Sequence, residues 1–438
     1  MLDRELKQLT GLTRLKLFRN ESTLQLRRHA IEYDVESGCR LLEAVGSMAA
    51  LRSFSMLGFC RRPPDERTEL IASALGALVG LTRLEKLDMR CNLFSAEAAT
   101  ALSGTLTRLT QLTELTMGRT SDGEGNSLIS PEAVSALTEP LVALTSLTIL
   151  ATYEGPCSPA MVETLASALG RMPALTLLDA GGFADSCGPA GATALAAALR
   201  DLTRLQTLDL ASNAFGAQGA AALAPALHGL TDLTYLQLAE NGLRDGSTAL
   251  AGALGCLTQL KSLNLSGNAI GAQGAAALAP ALQRLTGLTF LNLVDNELMH
   301  EDGLGMLAPV LAEMAHLTHL DLRWNDQTGG MHSDAVEQLA DSLKKSTAMT
   351  ALYLPHVESP GWCQPLRDSL LSMMSLAWLV VGKARPDEMD WAWPFPRKRR
   401  ARGWAPSRMC GSWAHRAQCR APCCACSSLA WGRRGRRS

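Results

Sequence analysis

A twelve-position phrase of the form LxxLxxLxLxxN recurs along most of this chain and constrains its fold more than any other feature. Seven clear copies begin at Leu9, Leu81, Leu202, Leu230, Leu257, Leu285 and Met314. Degenerate copies begin at Met48, Leu109, Leu144, Met172, Ser346 and Met373, so we predict about thirteen units. The central clear copies lie 27 or 28 residues apart, a spacing that indicates an array of small stacked units.

Each unit combines two hydrophobic periods. In the LxL part the apolar residues alternate, as they do in a strand that buries one face. In the segment GAQGAAALAPAL, present at Gly216 to Leu227 and again at Gly271 to Leu282, they recur every three or four residues, which is typical of an amphipathic helix. Because one strand and one helix cannot bury their own apolar sides, the units must stack and cover each other's leucines. We therefore predict one buried row that contains Leu208, Leu236, Leu263 and Leu291.

This pattern resembles the ribonuclease-inhibitor type of leucine-rich repeat, which also occurs in Ran GTPase-activating proteins and in the arrays of NOD-like receptors. The resemblance covers about residues 2 to 384. It implies an α/β fold, a right-handed horseshoe-shaped solenoid with a parallel β-sheet on the concave face and α-helices on the convex face. Elementary geometry agrees, because a helix about 10 Å wide needs more room than a strand spaced at about 4.8 Å.

Asparagine ends the phrase in all seven clear copies. A buried amide must be hydrogen-bonded, so we predict that a stacked column of asparagines binds the turn backbones of adjacent units. The column comprises Asn20, Asn92, Asn213, Asn241, Asn268, Asn296 and Asn325. In degenerate copies other residues, such as Phe183, take this place, and there we expect an interrupted column.

Residues 385–438 differ in composition from the repeats before them. The whole chain has a net charge of −1, but this tail carries about +10 and leaves about −11 for the repeats. The tail is rich in Trp, Cys and Arg without any period, and we predict that it is disordered. Its cysteines lack paired CxxC spacing, although zinc binding stays an alternative. Its basic runs at Arg397 and Arg433 leave nuclear import or phosphate binding open.

Charge and hydropathy bound the partners and the compartment. Acidic repeats argue against nucleic acid as their ligand, whereas the basic tail leaves nucleic acid open. No uncharged apolar run reaches about 18 residues, so we predict no membrane span. The first residues lack the apolar core of a signal peptide, and the seven single cysteines of the repeats suit reduced thiols. We therefore expect a cytoplasmic protein, with the nucleus as an alternative.

Sequence motifs of catalysis are missing. The chain has no GxxxxGK[ST], HExxH or GxSxG motif, and we predict no cofactor and no metal. We therefore expect a non-enzymatic scaffold that binds a protein partner. The resemblance implies one alternative, a GTPase activator of the Ran type that acts on a small GTPase. Arg14, Arg90 and Arg119 lie on or beside the strands, but no motif gives them an orienting or catalytic role.

Candidate contact residues are the non-leucine positions of the strand phrases and turns, which face the predicted concave side. Early in the chain these positions are mixed, whereas late in the array they bring aromatic side chains beside Arg and Asp, a composition typical of interface hot spots. The predicted protein-binding residues are Tyr235, Phe290, Asp295, His319, Asp321, Arg323, Trp324, Tyr353 and Trp378, with His356 beside them. As an alternative, Trp324 and Trp378 cover the turns or the end of the array, or are buried by the tail.

Overall fold

The computed structural model describes residues 11–18, 35–57, 68–90, 95–117, 131–151, 158–183, 187–299, 303–325, 333–354, 369–370, 373 and 375–381. Contacts divide the chain into two units, Met1–Lys383 and Ala384–Ser438. All described residues belong to the first unit, so the predicted disorder and zinc alternative of the tail lie outside the described residues.

Within the described residues, one open sheet of thirteen parallel strands follows the order of the sequence. The strands are β1 (Arg14–Phe18), β2 (Ser53–Leu57), β3 (Lys86–Asp88), β4 (Glu114–Thr116), β5 (Ile149–Ala151), β6 (Leu177–Asp179), β7 (Thr207–Asp209), β8 (Tyr235–Gln237), β9 (Ser262–Asn264), β10 (Phe290–Asn292), β11 (His319–Asp321), β12 (Ala351–Leu354) and β13 (Trp378–Val381). Each strand begins at the sixth position of a predicted phrase. The degenerate copies therefore form strands like the clear ones.

Helices follow the strands in the described part of the chain and alternate with them. They are α1 (Val35–Gly46), α2 (Thr68–Ala77), α3 (Ala96–Leu106), α4 (Pro131–Ala143), α5 (Pro159–Leu169), α6 (Gly188–Leu199), α7 (Gly216–His228), α8 (Gly246–Leu254), α9 (Gly271–Arg284), α10 (Gly303–Glu313) and α11 (Ser333–Lys344). Every one of these helices packs against the next along the chain. This alternation of parallel strands and helices is the predicted α/β leucine-rich-repeat solenoid.

The predicted row of buried leucines is confirmed. Leu208 pairs in register with Leu236, Leu236 with Leu263, and Leu263 with Leu291. All four side chains have 0% exposure. Because each leucine lies between the leucines of the units on either side, the core of the array is continuous across its units.

Small residues let neighbouring helices approach closely. A Cβ atom on Gly246, at the start of α8, would lie 2.6 Å from the Cα of Ala217 in α7. The same atom on Gly252, later in α8, would meet nothing within 4 Å. The first turn of this helix therefore requires a glycine for packing, whereas the middle of the helix does not.

The asparagine column is confirmed for its five described members. The backbone N–H of Asn213 donates to Oδ1 of Asn241 (3.1 Å), that of Asn241 to Asn268 (3.0 Å), and that of Asn268 to Asn296 (3.1 Å). Asn296 donates in the same way to Asn325 (2.9 Å). Asn20 and Asn92 lie outside the described residues.

Phe183 marks where the column changes, as its degenerate copy predicts. Its backbone N–H still donates to Oδ1 of Asn213, at 3.0 Å. Its side chain, however, is fully buried with the leucines. An apolar ring therefore replaces the amide at this end of the asparagine column.

A second ladder, which sequence reasoning missed, joins the units where the strands begin. Threonine hydroxyls donate to a backbone carbonyl of the preceding unit over 2.9 to 3.2 Å. The donors are Thr113, Thr148, Thr176, Thr234, Thr289, Thr318 and Thr350. Two side-chain ladders, one on each side of the leucine row, thus join neighbouring units: threonine bonds lie between β3 and β12, except at Gln206 and Lys261, and the asparagine column follows β6 to β11.

Candidate protein-binding surface

Within the described part of the chain, one face of the sheet has no helices packed on it. In β3 to β12 the leucine at the second strand position is buried in the core with the helices, so the first and third positions face the other way. The first-position column contains Lys86, Glu114, Ile149, Leu177, Thr207, Tyr235, Ser262, Phe290, His319, Ala351 and Trp378. The third-position column contains Asp88, Thr116, Ala151, Asp179, Asp209, Gln237, Asn264, Asn292, Asp321 and Tyr353.

The predicted contact residues divide among several places. Four share the first-position column: Tyr235, Phe290, His319 and Trp378. Two share the third-position column: Asp321 and Tyr353. The other three lie beyond the strand ends: Asp295, Arg323 and Trp324. His356 lies outside the described residues.

The prediction that Asp321, Arg323 and Tyr353 are exposed beside the aromatics is wrong. Their exposed fractions are 1%, 0% and 7%. Arg323 donates from Nε to Oδ1 of Asp321 (2.9 Å) and from Nη2 to Oδ2 (2.6 Å). Its Cζ lies 5.0 Å from the ring centroid of Tyr353, a cation–π distance. A charge without contact to water needs such partners, and the three side chains form a buried cluster.

Burial also affects the ionisation of Asp321. Burial raises the pKa of the Asp321 carboxyl above its ordinary value, while the hydrogen bonds and the charge of Arg323 oppose that rise. Tyr235, in the first-position column, is also mostly buried, at 9% exposure. These residues therefore shape the floor of the surface and present little area to a partner.

The surface itself is formed by the other rings. Phe290 and His319 are half-buried, with ring centroids 6.1 Å apart and planes tilted by 33°. Burial lowers the pKa of His319 below its ordinary value, which favours the neutral ring. Trp378, with 54% of its surface exposed, is open to solvent at β13. Trp324 is half-buried.

Two apolar members of this surface were missed by sequence reasoning. Ile149 and Leu177 occupy the first position of β5 and β6 and are half-buried. Both belong to degenerate copies of the phrase. Their place at its sixth position, just before the buried leucine, was the signal that could have located them. We call the first-position residues of β5 to β13 the uncharged strip: Ile149, Leu177, Thr207, Tyr235, Ser262, Phe290, His319, Ala351 and Trp378. Before the strip, Lys86 and Glu114 form an ion pair on β3 and β4.

The third-position column supports the turns. Its side-chain oxygens accept the backbone N–H two residues later, as Asp209 does from Ala211 (3.0 Å) and Asn292 does from Val294 (3.0 Å). Asp321 accepts in the same way from Arg323 (3.1 Å). These polar residues are therefore fixed, and they give the uncharged strip a rigid polar edge.

Acidic side chains follow that edge in the turns. Glu240, Asp295 and Glu297 are exposed and have positive φ angles of 56°, 55° and 59°. We call these three residues the acidic rim. Burial, then the charges of Glu297 and Glu240, raise the pKa of Asp295. Ser212 donates from Oγ to Oε2 of Glu240 at 2.8 Å. The rim is thus a group of carboxylates close enough to repel one another.

Among the described residues, no group of three or more His, Cys, Asp or Glu side chains has the arrangement needed to hold a metal ion. No described helix has both the length and the apolar character of a membrane span.

Comparison with known proteins points to one kind of repeat. A family model described as leucine-rich repeat matches residues 202–224, 257–279 and 313–326. No curated protein matches the chain.

Similar solved structures include an internalin (InlF) of Listeria monocytogenes, at 19% identity over 69% of this chain and 82% of that one, with a TM-score of 0.37. LegL7, a leucine-rich repeat-containing protein of Legionella pneumophila, is 18% identical over 76% of this chain and 93% of its own, with a TM-score of 0.39. The TLR13–ssRNA13 complex gives 16% identity, 77% and 60% coverage, and a TM-score of 0.34. With TM-scores this low, the assignment of the repeat depends on the strands, ladders and matched residues of the chain itself.

Proposed function

We propose that this chain, a leucine-rich repeat protein, is a non-enzymatic scaffold that binds a protein partner on the helix-free face of its sheet. The uncharged strip is the observation that carries the proposal. It places Phe290, His319 and Trp378 on the solvent side of a sheet whose opposite side is occupied by the helices. Half-exposed rings on a rigid sheet offer a partner contact area at a small entropic cost.

Two features of the surface support protein binding as its role and not catalysis. The central strands of the face, β6 to β11, are joined by both side-chain ladders, so this part is preorganised. Its large side chains are aromatic and aliphatic, and its polar side chains are engaged in turns. We assign the repeat to the ribonuclease-inhibitor type on the 27- and 28-residue spacing of its central copies and on the helix in each of those units. That type places the helix-free face on the concave side.

The experiment is affinity capture by the full chain and by two matched variants. Phe290→Ala/His319→Ala/Trp378→Ala removes the rings of the strip. Val79→Ala/Met306→Ala instead removes two exposed apolar side chains away from the sheet, one in a short turn after α2 and one in α10. We expect the first variant to lose partners that the original chain and the control retain, with unchanged thermal unfolding by circular dichroism. Identical capture by all three proteins would reject the strip as the binding surface.

The burial of Arg323 decides which residues this test must avoid. Replacing Arg323 removes the partner of a buried carboxylate, so any lost binding would reflect damage to the fold.

We retain GTPase activation of the Ran type as a second proposal, based only on the resemblance of the repeats. Arg90 donates to Asp88 from Nε (2.9 Å) and Nη2 (2.7 Å), which fixes its guanidinium beside β3. Arg14 is exposed on β1, and Arg119 lies outside the described residues. The test adds the full chain to GTP-loaded small GTPases and measures phosphate release. No acceleration with any of them would remove this alternative.

A further inference from the structure

We infer that the partner of the uncharged strip is an amphipathic protein helix with basic side chains along one edge only, the edge that lies toward the acidic rim. The inference depends on the proposed function, because it concerns the partner of the same surface. It is carried by the different charges on the two sides of the strip.

The strip has the length of a helical segment. From Ile149 to Phe290 its residues are register partners on six consecutive strands, β5 to β10. Five steps of about 4.8 Å give about 24 Å along the column. A helix of about 16 residues, at 1.5 Å per residue, spans this distance across the strands. No formal charge interrupts this part of the strip.

From β6 to β10, the described residues that directly follow the strip on the side of the carboxyl strand ends carry only negative formal charges. Asp179 and Asp209 are register partners in the third-position column, directly beside Leu177 and Thr207 of the strip. The acidic rim follows in the turns. Asp179, Asp209 and the three residues of the acidic rim make five acids. No Lys or Arg lies in the segments that hold them or in the matching segment of β9, which are residues 179–183, 209–214, 237–242, 264–269 and 292–297. Arg244 and Asp245, farther on, offset each other.

The side toward the amino ends of the strands differs. The residues immediately before β5 to β10 are four threonines, Gln206 and Lys261, so this row carries one positive charge and no negative one. The threonine hydroxyls are already donated to the carbonyls of preceding units. Arg204 and Asp232, three residues before their strands, offset each other. Basic side chains of a partner are therefore attracted to one side of the strip and not to the other.

The acidic rim has a reason to accept a cation. Burial, together with repulsion from Glu297 and Glu240, raises the pKa of Asp295, so this carboxylate is destabilised as an anion where it stands. A lysine or arginine from a partner relieves that repulsion and adds attraction across the interface. Charge of this sign also disfavours a phosphate backbone, which argues for a protein segment and against nucleic acid.

The test uses three designed helical peptides with the same leucine and phenylalanine stripe. Their single polar edge carries Lys, Gln or Glu, and binding to the full chain is measured by fluorescence anisotropy. We expect the Lys peptide to bind about tenfold or more tightly than the Gln peptide, the Glu peptide to bind most weakly, and the differences to shrink in 0.5 M salt.

Matched variants locate the effect on the protein. Glu240→Gln/Asp295→Asn/Glu297→Gln removes the charge of the acidic rim, and Asn tolerates the positive φ of residue 295. Glu69→Gln/Glu97→Gln/Glu163→Gln changes the net charge equally on α2, α3 and α5, where all three side chains are exposed. We expect about a tenfold loss of affinity for the Lys peptide with the rim variant and no loss with the helix variant.

The outcomes separate this inference from the proposed function. Leu177→Asp/Phe290→Asp places two charges in the strip and should abolish binding of every peptide. Equal affinity for the Lys and Gln peptides, still lost in this strip variant, overturns the charge inference and leaves the proposed function standing. Binding that survives in the strip variant overturns both. Failure of the full chain to bind the Lys peptide rejects the amphipathic helix as the partner.

Discussion

The side chain of Asn268 satisfies backbone groups of two consecutive units. Its Oδ1 accepts the backbone N–H of Asn241 (3.0 Å), and its Nδ2 donates to the carbonyls of Leu238 (2.9 Å) and Leu265 (2.8 Å). All of these groups are buried. A change at this residue therefore removes partners that water cannot replace.

We expect Asn268→Ala to lower the free energy of unfolding by about 2 to 4 kcal/mol, since each buried group left unsatisfied costs about 1 to 3 kcal/mol. The matched control is Asn264→Ala in the same unit, a half-buried residue that accepts the N–H of Ser266. The control should cost less than about 1 kcal/mol. Urea unfolding followed by circular dichroism measures both changes, and equal losses would contradict a special role for the column.

The buried pair of Asp321 and Arg323 supports a second prediction. Arg323→Val leaves a buried carboxylate without its cation and should cost about 3 to 5 kcal/mol. The double variant Asp321→Asn/Arg323→Val copies Asn292 and Val294, which hold the same two positions in the preceding unit. We expect the double variant to recover most of the lost stability in the same urea measurement. A double variant that is no more stable than the single one would show that the pair itself is required.

The same pair shows what the sequence could not predict. The phrase LDLRWN establishes that Asp321 and Arg323 lie on the helix-free side, and the structure confirms that side. How deeply these two side chains are buried is a different property, because burial depends on side chains of other units, such as Tyr353 beneath the guanidinium of Arg323. Alternation within one strand contains no information about those neighbours.

At the scale of elements, strands and helices followed from periodicity alone. The degenerate copies that contain Ile149 and Leu177 form strands in register with the clear ones, because the leucine at the second position of each strand still packs in the core. The threonine ladder was not foreseen, because a residue before a strand reads as polar filler until the facing carbonyl of another unit is known. The type and place of each element can thus be predicted from the sequence, whereas side-chain contacts between elements are harder to predict.

Helix α8 offers a prediction with its own internal control. Gly246→Ala places a methyl group 2.6 Å from the Cα of Ala217, so α7 and α8 must separate and stability should fall by about 1 to 3 kcal/mol. Gly252→Ala meets no atom within 4 Å and should raise stability by about 0.5 to 1 kcal/mol, since glycine is costly inside a helix. The midpoints of chemical unfolding measure both. Shifts of the same sign would contradict the close approach of the two helices.

At the scale of the whole array, the units are interchangeable neighbours. Deleting residues 230–256 removes one complete 27-residue unit and joins Gly229 to Leu257, so that Asn268 takes the place of Asn241 beside Asn213. We expect the deletion chain to keep the same helical signal per residue by circular dichroism and to unfold cooperatively, because each unit contacts only its neighbours.

The control for that deletion removes residues 230–243, about half a unit by the repeat period. It deletes β8 and the turn asparagine but leaves α8 without a strand. We expect this chain to lose cooperativity in thermal unfolding. If the complete-unit deletion loses cooperativity to the same extent as the half-unit deletion, the units are not interchangeable.

The direction of the asparagine column has a consequence for how the protein is made. The turn N–H of each of the first four described members bonds to the asparagine that follows it in the sequence, as Asn213 does to Asn241. A growing chain emerges from the ribosome amino end first. The newest unit therefore cannot satisfy its turn until roughly one more repeat, about 28 residues, has been translated. Folding trails synthesis by one repeat, and the last leucines to emerge stay open to chaperones throughout translation.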